Sequence, residues 1–188
     1  MIKDDWRFFN MKKTEELQVC EPRITEIVAT INKKVSYRIN QIESEITAGN
    51  GMSSFSGHNS MNILLVGDYQ DDIKKLLEKM TGLPVKLLEF SKVTDGQKEK
   101  LNHEEQLNLF NTEFLDAITR KGIIICEDLD MIDVPFICEY LAPALDMYDA
   151  PLSPVHRSPL CALVATCNSG SSVHIHAIRA RFNYTLVL

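Results

Sequence analysis

The sequence predicts an α/β protein, a three-layer domain built on a five-stranded parallel sheet and preceded by an N-terminal helical arm. Three observations carry this prediction. Short, continuously apolar runs such as "MNILLV" and "GIIIC" suit strands buried on both faces. Stretches with apolar residues at helical spacing separate those runs, and alternation of this kind belongs to parallel sheets. Ahead of them lies one long segment with a single apolar stripe, set off by a Gly- and Ser-rich stretch.

The arm comes first, over 1–47. Within it, Ile24, Val28, Ile31, Val35, Ile39, Ile42 and Ile46 step by three or four residues, which lays one stripe along a helix over 22–47. Pro22 suits its first turn. Such a stripe needs a partner surface, because β-branched residues are middling helix formers. Two surfaces are open: the main domain, or a second copy of the near-heptad stripe.

Residues 48–60, "AGNGMSSFSGHNS", hold three Gly, four Ser and two Asn, the composition of a flexible linker. The α/β domain is then expected over 61–188. Its first strand is 61–67, followed by a helix in which Ile73, Leu76, Leu77 and Met80 share a face and which Gly82 closes. A second strand over 83–91 leads into a polar loop, "KVTDGQKEKLN", and a helix from about 103 to 120. The third strand, 122–132, is the most apolar, and a helix around 134–147 follows it, with Met131, Phe136, Leu141 and Leu145 as core. A Pro-rich loop, a fourth strand over 160–168 and a fifth over 183–188 complete the pattern.

Composition excludes several classes. The 188 residues are 45% hydrophobic, enough for a sizeable core. Net charge is −6, and residues 1–50 are balanced at eight basic and eight acidic, so 51–188 carry the whole acidic excess. That argues against a sequence-independent grip on nucleic acid, which needs clustered Lys and Arg. The first residues contain no signal-like apolar block and no later run approaches a membrane span, so a cytoplasmic protein without membrane contact is expected. Of the five cysteines (Cys20, Cys126, Cys138, Cys161, Cys167) none forms a CxxC pair, and four lie in apolar runs, which reads as buried, inert thiols. His174 and His176 form an H-x-H pair but lack an assignable third ligand, so no metal is expected.

In parallel sheets chemistry collects at the carboxyl ends of the strands. Those ends hold Gly67 and Asp68, then Glu127, Asp128 and Asp130, then Asn168, with "HAIRARF" ahead of the last strand. Here the chain resembles the AAA+ family of P-loop ATPases. "IIICEDLD" resembles the family's strand ending in an acidic pair, "ALVATCN" its sensor strand ending in Asn, and "IHAIRARFNYTLVL" its arginine-bearing segment. The likeness covers about 62–188, with the motifs in the family's order. It implies a P-loop NTPase type of sheet, a sensor role for Asn168, and an arginine-finger role for Arg179 or Arg181. The residue-level alternatives are a turn for Asn168 and surface ion pairs for the arginines.

The departures decide the activity. A working phosphate loop needs G-x-x-x-x-G-K-[ST], for backbone wrapping, charge neutralisation and magnesium. After Gly67 the sequence reads "DYQDDIKK": the second glycine, the GK pair and the hydroxyl are missing, and the loop is short against the family by about three residues. Asp68, Asp71 and Asp72 stand there instead. Each carboxylate about 4 Å from a phosphate costs roughly 1–4 kcal/mol at effective dielectrics between water and a protein surface. Lys74 and Lys75 fall on the following helix. The acidic pair is also reversed, Glu127 then Asp128, which misplaces both groups for hydrolysis. Without phosphate these acids are expected to be solvated strand-end residues or helix caps.

The expected protein is therefore a pseudo-ATPase: no enzyme, no cofactor, and an interaction or regulatory module. Its partner would be a true AAA+ subunit, or its own copies through residues 22–47. Two alternatives are a nucleotide-binding subunit of a larger AAA+ assembly and a receiver-like signalling domain. The latter would use Asp68 and Asp128 for magnesium and phosphoryl transfer, but it lacks one early acid and the lysine near strand five.

Overall fold

A computed structural model of the chain describes residues 22–49, 61–67, 73–145, 157–168 and 179–187. Helix α1 spans Pro22–Thr47, β1 Met61–Val66, α2 Ile73–Thr81 and β2 Val85–Glu89. A hairpin of β3 (Ser91–Thr94) and β4 (Gln97–Lys100) follows. Helix α3 covers 103–118 as His103–Leu109, a π turn Phe110–Phe114, and Leu115–Ile118. After β5 (Gly122–Glu127) and a 3-10 turn at Leu129–Met131, helix α4 covers 134–145, with a π turn at Ile137–Leu141. Strand β6 (Cys161–Cys167), a 3-10 turn at Arg179–Arg181 and β7 (Tyr184–Val187) complete the described chain. No helix among these residues is long and apolar enough to cross a membrane.

The main sheet is entirely parallel, in the order β2-β5-β6-β1-β7. Position in that order explains the sequence pattern of each strand. The three inner strands are buried almost throughout, which is why they read as unbroken apolar runs. The edge strands alternate or stay open to solvent. Alternation along each inner strand builds two cores. Ile63, Leu65, Ile123, Ile125 and Val164 face one side, where α1 and α2 lie. Leu64, Ile124, Cys126, Leu163 and Ala165 face the other, under α3 and α4.

The stripe on α1 is spent on this sheet. Ile24, Val28, Ile31, Val35, Ile39 and Ile42 are all buried, and only Ile46 of the seven is exposed. The surface that self-association through residues 22–47 would have used is thus already covered within the chain. On the opposite face, α3 and α4 meet through rings. Phe110 and Phe114 stack at 5.0 Å, as do Phe136 and Tyr140, and Phe110 meets Phe136 edge-on at 5.9 Å.

Two boundaries differ from the sequence expectation. The polar loop after β2 is the β3–β4 hairpin, whose tight turn puts Asp95 (φ 51°) and Gly96 (φ 78°) in the left-handed region. The third strand stops at Glu127 rather than 132, because Asp128 turns left-handed at φ 55°, ψ 50°. Of the linker expected over 48–60, residues 50–60 lie outside the described set.

One glycine is required by its surroundings. Gly122 has φ 156°, and a Cβ there would stand 2.7 Å from the Pro84 carbonyl oxygen, which also accepts the Ile123 amide at 3.0 Å. Gly122→Ala is expected to lower stability by roughly 2–4 kcal/mol, since backbone must move. Gly82→Ala, at φ 67° in open space, should cost only about 1–2 kcal/mol. Urea midpoints of the two variants check the ordering.

Candidate functional site at the carboxyl ends of the strands

Parallel pairing in register brings three of the expected site segments to one edge of the sheet. Val66 lies opposite Cys167, and Cys126 opposite Ala165, so Gly67, Asp128 and Asn168 share that edge. Gly67 extends β1 by one bond, donating its amide to the Cys167 carbonyl at 2.9 Å, and then turns away at φ 134°. Asp68, Asp71 and Asp72 fall outside the described residues. Because α2 begins at Ile73, Lys74 and Lys75 belong to the helix. Asn168 is exposed.

Asp128 is the centre of this edge, and it is not a solvated strand-end acid. The residue is 7% exposed. Its carboxylate accepts a hydrogen bond from Ser91 Oγ at 2.6 Å and from Lys98 Nζ at 3.0 and 3.2 Å. Its own amide donates to Thr166 Oγ1 at 3.2 Å. The bond to Asp128 holds the Lys98 ammonium above the usual lysine range. Nor does the carboxylate cap the following 3-10 turn. A carboxylate so engaged is already committed to charge-assisted bonds within its own chain.

The neighbouring acids are placed differently. Glu127 ends β5 half-buried, and one Asp130 carboxylate oxygen is buried without a hydrogen-bond partner among the described residues. Among those residues no group of three His, Cys, Asp or Glu is placed to hold a metal ion; His174 and His176 lie outside them.

Arg179 and Arg181 are not brought to this edge. They precede β7, which runs parallel to β1, so they sit at the opposite, amino end of the sheet. A strand of six residues separates the two ends by roughly 20 Å. Arg179 is exposed and Arg181 half-buried. The 3-10 turn that carries them is held from below: Asn62 Nδ2 donates to the Arg181 carbonyl at 2.8 Å.

That contact belongs to a polar cluster the sequence did not announce. Arg157 donates to Asn62 Oδ1 at 2.7 Å and to the carbonyls of Cys161 and Leu145 at 3.0 and 3.3 Å. The only sequence signal is a polar residue interrupting the apolar run "MNILLV".

The thiols divide differently from the expectation as well. Cys126, Cys161 and Cys167 are buried, but Cys138 is exposed, on the outer side of α4. Burial pushes the Cys126 and Cys161 thiols up, and burial with the nearby Asp130 charge pushes Cys167 up to about 11. Iodoacetamide at pH 8 is therefore expected to alkylate Cys138 in the native protein and to reach Cys126, Cys161 and Cys167 only in denaturant. Peptide mass mapping reads the difference.

A scan against protein-family models finds no match for this chain, and a search of curated proteins finds none either.

Proposed function

We propose that the protein is a non-catalytic, AAA+-like interaction or regulatory module that docks on a partner or an oligomer and hydrolyses nothing. The observation that carries this reading is the state of Asp128. The acid at the position that would polarise an attacking water is buried, and its carboxylate is occupied by Lys98 and Ser91 of the same chain. The sequence after Gly67 adds to this, with aspartates where a phosphate loop has glycine and lysine.

The exposed Arg179 supports a role in trans. It lies at the far end of the sheet from Asp128, so it has no route to its own strand-end acids, yet it is free to meet a neighbouring subunit. A partner of AAA+ type, or a second copy, fits that placement. The receiver-like reading fits less well. Flavodoxin-like receivers order their strands 2-1-3-4-5, whereas here β1 lies between β6 and β7, the fourth and fifth parallel strands.

Thermal melting in millimolar ATP and magnesium tests the proposal. No shift is expected. A binder with an affinity near 10 μM would gain about 2.7 kcal/mol at a hundredfold excess, and a rise of several degrees would overturn the reading. Capture of partners by the full chain, identified by mass spectrometry, should weaken with Arg179→Ala while the melting temperature stays unchanged.

A further inference from the structure

The β3–β4 hairpin has no core of its own. Every residue of β4 is exposed, and in β3 only Ser91 is partly covered. A two-stranded hairpin in water is marginal without an apolar face to bury. What holds this one is charge. Lys98 reaches Asp128 at 3.0 Å, Lys100 reaches Asp133 at 2.8 Å, and Lys92 reaches Glu105 at 2.9 Å.

The register divides these contacts between the two faces. Ser91 pairs with Lys100 and Val93 with Lys98, which puts Ser91, Lys98 and Lys100 on the face toward the end of β5. Lys92 points the other way, to Glu105 in the capping box that starts α3. The hairpin thus reaches the β5 end, the start of α4 and the start of α3 through one ion pair each. Only Asp128 among the three acids is buried, with its side chain 10% exposed against 38% for Glu105 and 35% for Asp133.

We propose that the hairpin is a charge-held strap that closes over the acidic end of β5 and is released by ionic competition, uncovering Asp128. Exposed ion pairs are screened by salt, with a Debye length falling from about 10 Å at 0.1 M to about 3 Å at 1 M. Every residue of β4 is exposed, so burial of that strand does not replace them. The strap depends only on contacts inside the chain, so it stands whether or not nucleotide binds.

Amide hydrogen exchange at 0.05 and 1 M NaCl tests the strap. Protection of residues 93–100 is expected to fall about fivefold in high salt, the size of the two exposed pairs acting together, while the pair on buried Asp128 is screened less. Core amides such as those of Ile63 and Ile124 should hold steady. Lys98→Gln should raise low-salt exchange of the hairpin and make its salt response shallower. Protection that ignores salt, or a Lys98→Gln protein with the wild-type slope, would overturn the proposal. Should Lys98→Gln also loosen the core, the exposed pairs decide the matter: Lys92→Gln/Lys100→Gln must lose most of the salt slope, and an undiminished slope sinks the strap.

Discussion

Ile31→Asp is expected to unfold the protein or to remove most of its stability, while Tyr37→Asp on the same helix changes it by no more than about 0.5 kcal/mol. Ile31 is fully buried between α1 and the sheet, whereas Tyr37 is 71% exposed. Losing a buried isoleucine forfeits roughly 1.5–3 kcal/mol of transfer energy. A carboxylate placed there adds a desolvation cost of several kcal/mol. Against a net stability of about 5–15 kcal/mol for a domain, the sum leaves little. Urea unfolding followed by circular dichroism measures it. The result also separates the two surfaces that the α1 stripe could use. A variant that stays folded but drops in mass by light scattering would mean that α1 pairs with a second copy in solution; a variant that loses its fold means that α1 is the third layer of this domain.

The layers were legible because burial leaves a periodic trace. The α1 stripe, the apolar runs of β1, β5 and β6, and the Gly82 stop each follow from one local rule, and the described elements meet those rules within a few residues. The hairpin was missed: "TDGQ" carries the Asp-Gly signal of a tight turn, but its strands lack alternating apolar residues and so read as loop. The site was legible only in part. Strand ends collect in any parallel sheet, so Asp128 could be placed from sequence at the edge. Its partners could not. Ser91 and Lys98 lie 37 and 30 residues upstream, and ion pairs across such separations leave no periodicity. The π turns in α3 and α4 escaped for a related reason. Phe110 and Phe114 lie in one and Tyr140 in the other, and a single π turn leaves no periodicity of its own within the helix around it.

Asn62→Leu is expected to cost about 3–5 kcal/mol, although leucine suits the run it would join. Asn62 is fully buried at the start of β1, and every polar atom of its side chain is used. Its Oδ1 accepts from Arg157, and its Nδ2 donates to the carbonyls of Leu145 and Arg181. Leucine would leave the Arg181 carbonyl without this donor, the Leu145 carbonyl with Arg157 alone, and Arg157 short of an acceptor beside apolar surroundings. The guanidinium would keep the carbonyls of Cys161 and Leu145, the latter at the end of α4 where the helix dipole favours a cation. Arg157→Met should therefore cost less than Asn62→Leu. The double variant should fall short of the sum of the two by at least about 1 kcal/mol, because removing the cation removes much of what the leucine offends. Additive losses in urea unfolding would show that the two residues act separately. The cluster also ties the amino end of the sheet to the turn bearing Arg179, through the Arg181 carbonyl and through Asn183, which exchanges hydrogen bonds of 2.9 Å with the Asn62 backbone. Asn62→Ser, short enough to leave that turn untethered, should accordingly weaken partner capture in the same direction as Arg179→Ala. Arg179→Ala should leave the urea midpoint in place, and Asn62→Ser should lower it, so the two routes to the same loss are told apart by stability.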